Sequence, residues 1–225
     1  MKKIVLIVAG GSGKRMNAIT HKQFLLLRGL PVLMHTVDAF YRYDRQMKII
    51  IVLPEEERPT WETLCHDYTF KIPHEIKSGG ETRFHSVQKN LTIIPDHCLV
   101  AVHDGVRPLV SHLTIDRCFQ AAMRYGNAVP GIEIPETLRR IGKKGTKQVN
   151  RSHYRLIQTP QVFDSSILKK AYLQPYSRRF TDDAGVVESM GYVIHLVEGN
   201  PENIKITYPH DLVIASSLIS TIYKS

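Results

Sequence analysis

Continuous apolar runs, and not alternating ones, separate the helical stretches of this chain. KIVLIVAG, MKIIIVLP and CLVAVHD are rich in β-branched residues on what would be both faces of a strand. Strands that read this way are buried on both sides, and helical crossovers that cover both faces of a parallel sheet bury them so. The intervening segments fit that role. LPVLMHTVDAFYRY reads as a helix with Pro31 suited to its first turn, and EERPTWETLCHDY and TRFHSVQKNLTII read as two more. LTIDRCFQAAMRYG is a helix closed by Gly126. HEIKSGG supplies a further short strand. The pattern predicts an α/β fold with a mostly parallel sheet, in which ligands gather at the carboxyl ends of the strands.

Three polar clusters fall at such ends: VAGGSGKRM (Val8 to Met16), SGGETR (Ser78 to Arg83) and HDGVRP (His103 to Pro108). The first suits a phosphate, because glycines bare their N–H groups beside the cations Lys14 and Arg15. It is not a Walker A loop: Arg15 stands where Ser or Thr should follow the lysine, and Val8 replaces the opening glycine. Nor does it complete a dinucleotide fingerprint, since Met16 occupies the third glycine position. An ordinary glycine-rich turn remains open on this stretch alone.

The alternation breaks after AVPGIEI. Glu136 to Arg151 is polar, with a GKKG turn, and reads as an exposed hairpin. A hairpin is marginal alone, so it either moves or docks on a partner, most simply a second copy of this chain. VIHLVEG and NIKIT then resume the strand pattern, and PHDLVIASSLISTIY closes as a helix. With 225 residues, 43% of them hydrophobic, a single domain over 1–225 is expected, with 136–151 as its projecting arm.

The net charge of +9 admits nucleic acid, an anionic surface or small anionic substrates. The cations are spread along the chain and match no nucleic-acid-binding motif, so small anions are favoured. Three isolated cysteines argue against a disulfide framework, and the eleven histidines show no zinc spacing. With no membrane-length run and no signal-peptide pattern, a cytoplasmic enzyme without membrane partners is expected. Asp104, at the end of an apolar strand, is placed to hold Mg²⁺ through one or two oxygens, or to cap a turn. Arg15, Lys22, Arg151 and Lys205 are the cations that stand at strand ends or in loops.

AGGSGKRM, KQF, SGGETRFHSV, HDGVRP, QTPQVF, TDDA and VEGNPENIKIT occur in one order along nearly the whole chain. Together they resemble the 2-C-methyl-D-erythritol 4-phosphate cytidylyltransferases. The resemblance implies a Rossmann-like sheet of the nucleotidyltransferase type and a β-hairpin arm for dimerisation. It also implies that a substrate phosphate attacks the α-phosphorus of CTP and releases pyrophosphate, with Mg²⁺ or another divalent cation as cofactor. Arg15 and Lys22 would be catalytic. Val8, Ala9, Gly10, Gly11, Gly13, Gly80, Glu81, Ser86, Asp104 and Gly105 would bind CTP, with Asp104 also serving the metal. Arg107, Thr137, Arg151, Thr159 and Lys205 would meet the phosphate of the acceptor alcohol, a small polyol phosphate. The arm would reach a neighbouring protomer, giving a homodimer with shared sites. Gly105 and Val106 stand where the family usually has alanines, Glu81 where Asp is common, and His21 where proline is frequent. A ribitol-5-phosphate cytidylyltransferase shares the CTP half and is the nearest alternative. A sugar-phosphate nucleotidylyltransferase is more distant. A nucleotide sensor without turnover would not need so many cations.

Overall fold

The computed structural model describes residues 1–10 and 21–222. In chain order these form β1 (Lys2–Val8), the short pair β2 (Leu26–Leu27) and β3 (Leu30–Pro31), α1 (Val32–Tyr43), β4 (Lys48–Leu53) and α2 (Arg58–Asp67). Next come β5 (Glu75–Ser78), α3 (Arg83–Leu91), β6 (Cys98–Asp104), α4 (His112–Tyr125) and β7 (Asn127–Ile132). The hairpin β8 (Arg139–Gly142) and β9 (Gly145–Gln148) follows, then β10 (Leu156–Ile157), β11 (Gln161–Asp164), α5 (Ser165–Ala171), α6 (Asp183–Glu188), β12 (Leu196–Glu198) and α7 (Pro209–Ile222).

The main sheet runs β10-β7-β11-β6-β1-β4-β5, with β12 also paired to β7. The neighbours β5, β4, β1 and β6 are parallel, as the continuous apolar runs predict. Their side chains split by strand period. Val5, Ile7, Ile49, Ile51, Leu99 and Ala101 face a core built with α1, α2 and α4. Ile4, Leu6, Ile50, Val52, Val100 and Val102 face a second core with α3, α5 and α6. Two buried faces explain why neither could be spared for polar residues. β11 runs antiparallel between β6 and β7, so the sheet is mixed at that side.

Local signals set the helix ends. Ser111 caps α4 by accepting from the Thr114 N–H at 3.1 Å, and Gly126 closes it at φ +84°. NIKIT, expected as a strand, lies outside the sheet. The Ile206 N–H donates to the Val106 carbonyl at 2.9 Å, the Asn203 carbonyl accepts from Arg107 Nη1, and Ile206 is buried in one cluster with Val32 and Leu109. The β8–β9 hairpin is exposed along its whole length, and it carries Arg139, Arg140, Lys143, Lys144 and Lys147. Among the described residues no helix is long and apolar enough to cross a membrane.

Trp61, the only tryptophan, packs beside Phe24, Phe70 and His74. Its indole N–H donates to His74 Nε2 at 3.0 Å, while His74 Nδ1–H donates to the Ile72 carbonyl at 2.7 Å. Both ring nitrogens are therefore committed with the imidazole neutral. Burial lowers the pKa values of His35, His74 and His103, in each case partly offset by a backbone hydrogen bond. A histidine with a depressed folded pKa contributes stability above its unfolded pKa of about 6.5, and that stability is lost as pH falls toward the folded value. The melting temperature should therefore drop steadily below pH 6.5, reported by Trp61 fluorescence. A flat melting temperature from pH 7 to pH 4.5 would contradict this account.

Candidate active site

Three strand ends meet at one edge of the sheet. After β1, the Ala9 N–H donates to the Val52 carbonyl and the Gly105 N–H donates to the Val8 carbonyl, both at 2.9 Å. These bonds hold Val8–Ala9–Gly10 between the ends of β4 and β6. Gly105 is tight against this segment: a Cβ there would lie 2.8 Å from Ala9 Cβ, which makes the departure to glycine at this position a packing requirement.

At the end of β5, the Gly80 N–H donates to Ser86 Oγ at 3.0 Å, and Asn90 donates to the carbonyls of Ser78 and Ser86. A Cβ on Gly80 would come within 2.7 Å of His85 Cβ, so the turn admits no side chain there. Lys22 and Gln23 arrive on a short 3₁₀ turn, Lys22–Phe24, whose Phe24 ring packs on Trp61. His21, where the resemblance expects proline, pairs with the buried Glu57 at 2.7 Å and ties this turn to the chain that follows β4.

The end of β6 supplies Asp104, which is 7% exposed. Its Oδ2 takes Arg107 Nε at 3.1 Å and Lys205 Nζ at 3.0 Å, and its Oδ1 faces Arg83 Nε at 3.6 Å. Burial alone would raise the Asp104 pKa, but the charges of Arg83, Lys205 and Arg107 outweigh it and hold the carboxyl well below the usual carboxylate range.

These strand ends enclose a cavity of about 160 Å³. Of the residues singled out from the sequence, Val8, Ala9, Gly10, Lys22, Gly80, Glu81, Ser86, Asp104 and Lys205 line it. Gln23, Thr82 and Arg83 also line it, although no sequence signal marked them individually, and so does Val106, one of the positions where the family usually has alanine. Arg83 stood inside SGGETR, but its charge gained meaning only from Asp104, which lies 21 positions on. Gly11, Gly13 and Arg15 lie outside the described residues.

Five of the expected site residues do not line the cavity: Gly105, Arg107, Thr137, Arg151 and Thr159. Arg107 turns inward, giving Nε to Asp104 and Nη1 to the Asn203 carbonyl at 2.8 Å. Thr159 is buried, with its hydroxyl between Asp104 and His103. The Arg107 carbonyl can only accept, so His103 Nε2, 3.1 Å away, carries the ring proton. Burial, partly offset by that hydrogen bond, lowers the His103 pKa to about 4, so at neutral pH its Nδ1 is bare. The Thr159 hydroxyl then donates to Nδ1 and accepts from the Asp104 N–H. Both residues thus hold the Asp104 backbone and side chain in place. Thr137 and Arg151 are exposed, and Arg151 Nη1 donates to the Pro135 carbonyl at the base of the hairpin. Arg151 lines a separate, wider groove of about 1150 Å³ with Glu136, Leu156 and Leu196.

The cavity gathers Lys22, Arg83 and Lys205 around two carboxylates, Asp104 and Glu81. Such a set suits a polyanion. Among the described residues no three His, Cys, Asp or Glu side chains form a metal cage. A lone carboxylate fits Mg²⁺, which is commonly held by one or two carboxylates together with substrate phosphates. Asp104 Oδ1, which faces Arg83 Nε at 3.6 Å, is the oxygen suited to that role.

Residues 3–221 match a family model described as IspD, 2-C-methyl-D-erythritol 4-phosphate cytidylyltransferase. Proteins named 2-C-methyl-D-erythritol 4-phosphate cytidylyltransferase from Bacteroides thetaiotaomicron and Bacteroides fragilis are 50% and 51% identical to the chain. Each alignment covers 97% of this chain and 100% of the relative. The crystal structure of the Thermus thermophilus protein of that name superposes with a TM-score of 0.79 at 34% identity, covering 98% of this chain and 100% of the other. A 4-diphosphocytidyl-2C-methyl-D-erythritol synthase from Anaerococcus prevotii gives 0.82 at 26% identity, covering 97% and 96%.

Proposed function

This chain belongs to the 2-C-methyl-D-erythritol 4-phosphate cytidylyltransferase family, and on that premise we propose that it joins CTP and 2-C-methyl-D-erythritol 4-phosphate, releasing pyrophosphate. One observation carries the reading. Asp104 and three cations from distant parts of the chain converge on a single cavity at the carboxyl ends of β1, β5 and β6. Full-length relatives carry the methylerythritol name, and the ribitol phosphate alternative is not favoured.

The nucleophile is a phosphate oxygen, ionised at neutral pH, so no general base is required. The chain's task is to bring two polyanions together and to offset charge as it moves onto the leaving pyrophosphate. Val8 to Gly10, with Gly80, Glu81 and Ser86, receive the cytosine, where bare backbone permits close approach. Ser86 shapes that turn through Gly80 while it lines the pocket. Asp104 and Gly105 lie by the ribose. Lys22 neutralises the α-phosphate, a role also assigned to Arg15, and Gly11 and Gly13 are assigned to CTP. Lys205 draws in the acceptor phosphate. Asp104 would hold Mg²⁺, which when bound would supply further neutralising charge. Arg107 and Thr159 are assigned to positioning Asp104. Thr137 and Arg151 serve the acceptor phosphate of a partner protomer in a homodimer, because neither lines the cavity of its own chain.

A pyrophosphate-release assay that crosses CTP, UTP, ATP and GTP with methylerythritol phosphate and ribitol 5-phosphate tests the reading. Turnover is expected with CTP and methylerythritol phosphate, with UTP rejected by about 10⁴-fold if the pocket pairs the cytosine edge. Equal rates with CTP and UTP would remove the cytosine assignment of Gly80, Glu81 and Ser86. Preference for ribitol phosphate would replace the acceptor.

A further inference from the structure

We propose that Arg83 is a positioning residue of the nucleotide cavity, locked by the buried residues Asp183 and Tyr172, and that through it the TDDA segment orients Asp104. The inference rests on the reading of the cavity as a CTP site.

The two aspartates of TDDA do different things. Asp182 caps α6, its Oδ1 accepting from the Gly185 N–H at 2.9 Å, while its Oδ2 accepts from Gln161 Nε2 at 2.9 Å. Ordinary helix capping accounts for it. Asp183 is fully buried and points elsewhere. Its Oδ1 accepts from Arg83 Nη1 at 2.9 Å and from the Tyr172 hydroxyl at 2.7 Å, and its Oδ2 accepts from Arg83 Nη2 at 2.5 Å. Both terminal nitrogens of the guanidinium are thus engaged in one planar, two-point contact, which fixes its orientation. Arg83 also opens α3, behind the Thr82 cap, so its backbone is fixed as well.

What this rigid cation faces is the cavity. Arg83 lines it, and its Nε stands 3.6 Å from Asp104 Oδ1. Lys205 and Arg107 hold the other oxygen, Oδ2. Asp104 is therefore flanked by charge on both oxygens, and its Oδ1 side is set by a residue that cannot swing. Stability alone is a weak reason for such a device, because well-packed apolar residues often replace a buried ion pair without loss. A fixed charge on a cavity wall is a reason that apolar packing cannot supply.

That contrast gives the test, made on the full-length protein with CTP and Mg²⁺ by calorimetry, without acceptor alcohol, alongside melting curves. The double variant Arg83→Met/Asp183→Leu removes both charges and should melt near the wild type. Its CTP affinity should fall by about 10–100-fold, as for residues that orient a metal or ligand group through a second contact. Wild-type affinity in a stable double variant would overturn the inference and leave the CTP reading standing. Absence of CTP binding by the wild type would overturn the CTP reading, and this inference with it. Should the double variant melt early, Tyr172→Phe decides. It keeps the ring stacked on Phe84 at 4.7 Å and deletes only the hydroxyl that steadies Asp183. CTP binding weakened about threefold or more at unchanged melting temperature supports the positioning role, and unchanged binding refutes it.

Discussion

Lys22→Ala lowers kcat by about 10²–10³-fold while the KM for CTP changes only a few-fold. The size is that of removing one preorganised charge or donor from the place where transition-state charge develops. The expectation follows from what the cavity holds. Lys22 comes in on a 3₁₀ turn anchored by Phe24 on Trp61 and by the His21–Glu57 pair, so its backbone is fixed before any ligand arrives. Charge on the α-phosphate grows only as the new bond forms, and a group that answers it there lowers the barrier without tightening ground-state binding. Steady-state kinetics with saturating acceptor separates the two parameters. A variant that raises KM with kcat intact would make Lys22 a substrate-binding residue and move the transition-state role elsewhere.

A mixture of Arg151→Ala and Lys22→Ala proteins, each inactive alone, regains about a quarter of wild-type activity after subunit exchange. Half the dimers are then mixed, and each mixed dimer has one site with both lesions and one with neither. The prediction comes from where the hairpin leaves its residues. Thr137 and Arg151 lie outside the chain's own cavity, and Arg151 is turned to the Pro135 carbonyl and the wide groove at the hairpin base. The hairpin buries none of its own residues, and such an element is marginal without a surface to dock on. Exchange is followed independently with differently tagged chains. If tagged heterodimers form and no activity returns, Arg151 serves its own chain and the shared site is lost.

The sheet and the address of the site were legible in local composition. Apolar runs on both faces dictate strands covered by helices, because no alternative buries both sets of side chains. A parallel sheet then gathers the polar ends of those strands at one edge, and VAG, SGG and HD meet there without further instruction. Gly126, Ser111 and Pro209 mark helix ends through backbone chemistry that acts within a few residues. The family resemblance added the roles of Lys22 and Lys205, which spacing alone leaves as ordinary surface cations.

Which charges face which depends on contacts between distant parts of the folded chain. Arg83 and Asp183 lie 100 positions apart, and Arg107 and Asn203 lie 96 apart. No local periodicity encodes such pairings. Arg107 and Thr159 brace Asp104, a contact the sequence did not announce, because the turn after β6 folds back on the strand end and the antiparallel β11 brings Thr159 beside it. NIKIT has a strand's composition but pairs with no strand; it is tied to the turn after β6, by the Ile206 N–H on the Val106 carbonyl and by Lys205 on Asp104. Strand propensity is a property of a few neighbouring residues, whereas an open edge and a compensating charge are properties of the whole folded chain.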